Sequence, residues 1–115
     1  MRHLESNLQV ACVTWFRLQF PDYQNLLIHV PNGGYRNKRE AVNLIKQGVV
    51  RGVPDLFLAV PKKGFSGVWI EMKSEKGKLT EHQAEMIEAL ERVGYIALVI
   101  RSLDEFMKLV SNYLN

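Results

Sequence analysis

Between Gly52 and Lys73 the sequence reads GVPDLFLAV, then PKKGFSG, then VWIEMK. Two short apolar runs are separated by a stretch holding one proline and two glycines, the pattern of two strands joined by a tight reversal, and they are expected to pair antiparallel. That pairing constrains everything else. It sets the start of the first strand, where Asp55 stands, beside the end of the second, where Glu71 and Lys73 stand. Pro54 stiffens the entry, because it fixes its own φ and biases Val53 toward an extended conformation.

The second run alternates. Val68, Ile70 and Met72 belong to one face of a strand and Trp69, Glu71 and Lys73 to the other. Two readings of Glu71 and Lys73 stand side by side: an exposed ion pair on an edge strand, worth little in stability, or half of a site completed by Asp55. Asp55 has its own plain role, accepting nearby backbone N–H groups. Two further polar residues fall where apolar ones are expected. Glu5 lies on or beside the stripe formed by Leu4, Leu8, Ala11, Cys12, Trp15 and Phe16, and Gln83 lies on that of Met86, Ile87 and Leu90. Helix-dipole stabilisation accounts for Glu5 and a capping box with Thr80 for Gln83. A shared acidic pocket accounts for both.

The remaining elements follow from periodicity and punctuation. A first helix ends near Phe20-Pro21-Asp22, and LLIHV at Leu26–Val30 is a strand stopped by Pro31 that runs into the loop PNGGYR. Asn37 with Glu40 opens a second helix that Gly48 stops. After the hairpin, a helix runs from Thr80 to Gly94, YIALVI at Tyr95–Ile100 is a buried strand, and Ser102 with Glu105 opens a last helix. The order predicts a mixed α/β layer structure. At 115 residues, with 47% hydrophobic and 23% charged, one soluble domain over residues 1–115 is expected, since two would each bury too little surface.

An aspartate, a glutamate and a lysine meeting at one end of a sheet suit phosphodiester hydrolysis. Mg²⁺ or Mn²⁺ held by carboxylates neutralises the phosphoryl group and activates water, and a lysine adds fixed positive charge beside it. Pro54-Asp55, Glu71-Met72-Lys73, Glu5, the segment GVVRGVPDLFL and Gln83 within LTEHQ together resemble the VRR-NUC (virus-type replication-repair nuclease) family of the PD-(D/E)xK, restriction-endonuclease-like superfamily. The resemblance covers nearly the whole chain. It implies an α/β fold with an αβββαβ core, a mixed sheet flanked by helices, and a metal-dependent nuclease. Asp55 and Glu71 would bind the metal with help from Glu5, Lys73 would be the catalytic lysine, and Gln83 would position the water or a neighbouring group. The small stand-alone members that the chain resembles are often phage-related and similar to Holliday-junction resolving enzymes. The expected substrate is therefore branched DNA, and its symmetry predicts a homodimer.

Candidate phosphate contacts are Arg36, Lys38 and Arg39 after the Pro31–Tyr35 loop, and Lys62, Lys63, Lys76 and Lys78 around the hairpin; ordinary solvated turns explain them equally. The net charge of +3 decides nothing alone. The three histidines are scattered and suggest no metal cluster, Trp69 reads as packing, and Cys12 has core spacing with no base beside it. A single cysteine fits a reducing, cytoplasmic setting, and neither a membrane span nor a signal peptide is expected, Glu5 falling where a leader needs apolar residues. Two alternatives stay open: a catalytically silent module that binds DNA or protein, and an enzyme of the same fold acting on RNA.

Overall fold

The computed structural model describes residues 2–31 and 37–115. Helix α1 (Arg2–Gln19) leads through a 3₁₀ turn (Pro21–Leu26) to strand β1 (Leu27–His29) and helix α2 (Lys38–Lys46). Strands β2 (Leu56–Leu58) and β3 (Val68–Met72), helix α3 (Glu81–Arg92), strand β4 (Ile96–Ile100) and helix α4 (Leu103–Leu114) complete the chain. The strand order is β1-β2-β3-β4, antiparallel across the first two pairings and parallel between β3 and β4. This is a four-strand mixed sheet flanked by helices, with the expected αβββαβ core; α2 is inserted between β1 and β2, and α4 is added at the end.

The expected hairpin forms, with Leu56 opposite Ile70 and Leu58 opposite Val68. Its strands are shorter than predicted. Asp55 stands one residue ahead of the β2 ladder, and Ala59 and Val60 lie beyond its end. Alternation on β3 holds: Val68, Ile70 and Met72 are buried with Leu56, Leu58 and Ile100 against Cys12 and Phe16 of α1 and Phe106, Val110 and Tyr113 of α4. Each such aliphatic side chain contributes roughly 1.5–3 kcal/mol by leaving water. The opposite face stacks Phe57 on Trp69, ring centroids 4.2 Å apart, with Tyr95 edge-on to both, so Trp69 packs as predicted.

Several local expectations are refined. The Thr80–Gln83 capping box closes in both directions, and Asn37 caps α2 by accepting Glu40 N–H. Ser102 accepts Glu105 N–H at 3.1 Å, but the Glu105 carboxylate takes Arg101 N–H instead of returning to the cap, so that box is half formed. Leu4, placed on the buried stripe of α1, is exposed. In β4 only Ala97 and Ile100 are buried, as befits an edge strand. Helix α2 buries none of its residues. The loop predicted at Pro31–Tyr35 lies, beyond Pro31, outside the described residues. Among the described residues no helix is long and apolar enough to cross a membrane.

Candidate functional site

The site is built where β2 begins and β3 ends. Pro54 is buried, and Asp55 Oδ2 accepts the N–H of Met72 at 2.8 Å across the hairpin. The Asp55 carbonyl accepts Val30 N–H and a hydrogen bond from His29 Nδ1, each at 2.8 Å, so the residue is fixed from β1 as well. Glu71, one residue before Met72, is 3% exposed, and its Oε2 accepts a 3.1 Å hydrogen bond from Gln83 Nε2. Gln83 Oε1 meanwhile accepts Thr80 N–H at 2.9 Å. Both explanations of Gln83 therefore hold: one amide group closes the helix cap and steers Glu71.

Lys73 is buried with Nζ 3.8 Å from Glu71 Oε2, an ion pair too long for a hydrogen bond. Glu5 reaches the group from the first turn of α1. A Cβ built on Gly77 would lie 3.4 Å from both Glu5 Oε1 and Lys73 Cδ and 3.1 Å from Ser74 Oγ. A side chain at residue 77 would fill the space between these groups.

Electrostatically the arrangement is unbalanced. Burial, then the neighbouring Asp55 carboxylate, pushes the Glu71 carboxyl up to about 8, with Lys73 opposing. Asp55 is raised as well, by burial first, while the Met72 N–H pulls it back. Asp55 raises Glu71, while the hydrogen bond between the two lowers Asp55; two crowded acids of this kind fit a divalent cation, which would take up the excess charge. The donors are hard oxygens, and Ser74 Oγ is buried without a hydrogen-bond partner beside them. No trio of His, Cys, Asp or Glu among the described residues encloses a metal position. Oxygen donors match Mg²⁺ or Mn²⁺ better than zinc.

The other candidates divide by location. Lys76 and Lys78 are exposed in the turn directly after Lys73, at the rim of the site. Lys62 and Lys63 form the hairpin turn at the opposite end of the sheet, with the length of β3, about 17 Å at 3.3 Å per residue, in between. Lys38 and Arg39 are exposed in the first turn of α2, and Arg36 lies outside the described residues. Cys12 is fully buried and its thiol is pushed up to about 12, which excludes it as a nucleophile.

Three residues escaped sequence reasoning: His29, Ser74 and Arg101. Arg101 follows β4 and donates from Nη1 to the carbonyls of Ser74, Glu75 and Gly77. The parallel register of β3 and β4, Met72 opposite Ile100, would have placed it next to Lys73.

Comparison with known proteins agrees with this architecture. A solved structure described as a VRR_NUC domain protein superposes with a TM-score of 0.83 at 26% identity, covering 96% of this chain and 87% of that one. No curated protein matches. The VRR-NUC domain family matches residues 4–104, a span that takes in the hairpin, the acidic cluster, Lys73 and Gln83, and the chain accordingly belongs to the VRR-NUC family and has its nuclease-type fold.

Proposed function

We propose that the protein is a Mg²⁺- or Mn²⁺-dependent endodeoxyribonuclease that hydrolyses phosphodiester bonds in branched DNA, such as four-way junctions or flaps, and that it works in the cytoplasm as a homodimer. The observation that carries this reading is buried Glu71 beside half-buried Asp55, with Lys73 Nζ 3.8 Å from Glu71. A fold gains little from placing Glu71 in burial beside a second acid, whereas a phosphoryl-transfer site has a use for the pair.

Asp55 and Glu71 would hold the metal ion, with Glu5 at its border; when bound, the ion neutralises phosphate charge and makes water more acidic. The rest is done by the protein's own groups. Gln83 fixes one oxygen of Glu71 by donating to Oε2. The Met72 N–H fixes Asp55 Oδ2 in the same manner. Lys73 then places an ammonium against a non-bridging phosphate oxygen or the attacking water, where its charge favours the more negative transition state. Lys76, Lys78, Lys38, Arg39 and Arg36 contact neighbouring phosphates. Two such sites related by a two-fold axis would cut the two strands of a symmetric junction.

The test is cleavage of labelled four-way junction, flap, single-stranded, duplex and RNA substrates with Mg²⁺, Mn²⁺ or EDTA, alongside sedimentation of the protein. Metal-dependent cutting of branched DNA by a dimer is expected, and Lys73→Ala should abolish it. A folded, metal-binding protein that cuts none of these is a silent binding module instead.

A further inference from the structure

The turn after Lys73 is held in an unusual way. Its residues Ser74, Glu75, Lys76 and Gly77 close with Gly77 N–H on Ser74 O at 3.1 Å. A single guanidinium nitrogen, Nη1 of Arg101, then serves three carbonyls of the same turn: Ser74 at 2.9 Å, Glu75 at 3.3 Å and Gly77 at 2.5 Å. Arg101 is itself anchored, because Lys73 N–H bonds Ile100 O at 3.0 Å and the Arg101 N–H bonds Glu105. The turn is thereby tied to β4 and pressed onto the site, with Gly77 against Glu5 and Lys73.

Lys76 and Lys78 flank Gly77 and are exposed; Glu75 is the turn's one acid. Ordering a turn costs about 1–2 kcal/mol per residue in backbone entropy, and a lysine on a loose turn meets that cost again each time it binds. A turn fixed beforehand does not. The two N–H groups of Nη1 are shared among the three carbonyls, and a lysine at the same backbone position ends one bond short of that nitrogen, so its ammonium does not reach them in the same way.

We propose that Arg101 is a positioning residue: it clamps the turn after β3 so that Lys76 and Lys78 form a preset rim for the DNA phosphates adjoining the one at the carboxylates. The inference rests on the DNA-binding part of the proposed function and not on the chemistry. Arg101 acts through the two lysines, so its effect should vanish when they are gone.

The test is a mutant cycle read by DNA binding in EDTA, where nothing is cut. Affinity for a labelled four-way junction and its dependence on salt are measured for wild type, Arg101→Lys, the Lys76→Ala/Lys78→Ala double variant and the triple combination, each checked for folding by thermal melting. Arg101→Lys keeps the charge and loses the clamp. It should weaken binding and lower the salt slope by about 1 to 2, close to the double variant, since each neutralised phosphate contributes roughly 0.9 to the slope. The triple variant should bind no more weakly than the double. Wild-type binding by Arg101→Lys, an equal loss in both backgrounds, as a merely structural role gives, or absence of salt-dependent binding in the wild type would each overturn the clamp. A protein that binds as expected yet cuts nothing would end the hydrolase reading and leave the clamp in place.

Discussion

The two ends of the β2–β3 hairpin are each held by a side chain, and the chemistry of the two side chains differs. At the turn end, the Tyr113 hydroxyl of α4 accepts Lys62 N–H at 3.0 Å and donates to Val60 O at 2.6 Å, so a neutral group holds the chain as it leaves β2 and its hydrogen bonds are complete. Burial raises the Tyr113 phenol further, and it stays neutral at any ordinary pH. At the other end Asp55 ties the strands through Met72 N–H at 2.8 Å, but with a carboxylate crowded by Glu71. A neutral acceptor would serve the fold as well. The charge at Asp55 is surplus to the structure, and this is the physical sign that the end carrying it has another purpose.

The largest effect should come from removing that charge alone. Asp55→Asn keeps an oxygen for Met72 N–H, so DNA cleavage should fall by at least roughly 10²–10³-fold, the scale of losing one charge-stabilising group, while the melting temperature in EDTA holds or rises. A melting temperature that drops with the activity would break the contrast between the two ends.

The next effect is on stability. Glu71 titrates near 8 in the folded protein and near 4.3 unfolded, so between these values the folded state binds more protons. Stability of the metal-free protein therefore falls as pH rises through that window, and the loss is complete above about pH 8, on the order of a few kcal/mol. Asp55 adds in the same direction. Melts in EDTA at pH 6 and pH 9 should show the decline, Glu71→Gln should shrink it, and Mn²⁺ at pH 9 should reverse it. A flat profile would mean that the acid pair is better compensated than its geometry indicates.

The smallest effect belongs to the turn end. Tyr113→Phe leaves Lys62 N–H and Val60 O without the hydroxyl and should cost about 1–2 kcal/mol in denaturant unfolding, with cleavage unchanged once the protein is folded. A loss of cleavage in that variant would show that the two ends are coupled, and would sharpen the comparison into one about rigidity.

How far the sequence could be read follows the same division between local and distant contacts. The hairpin, the Thr80–Gln83 cap and the meeting of Asp55 with Glu71 and Lys73 depend on residues near in sequence and on period-two alternation, and all were legible. The half-formed cap at Ser102 was not, since Glu105 had a competing donor in Arg101 N–H. Arg101 itself was hidden by the parallel pairing of β3 and β4, whose register is set through α3 and by no local signal. His29 meets the Asp55 carbonyl only because β1 pairs with β2 with His29 opposite Leu56. Ser74 belongs to no periodic face, so nothing before the structure marked its hydroxyl as buried.

The cluster draws Glu5 from the beginning of the chain, Asp55 from its middle, and Glu71 and Lys73 from the end of β3 and the residue after it, β3 having a neighbour on each side, the later being β4 at Ile96–Ile100. During synthesis, Glu5 emerges first and must wait for that last strand before β3 is fully paired. Contacts of such long sequence separation form late. A copy made only as far as β3 carries the site's residues but no assembled pocket, so the pocket is complete only when folding is nearly finished.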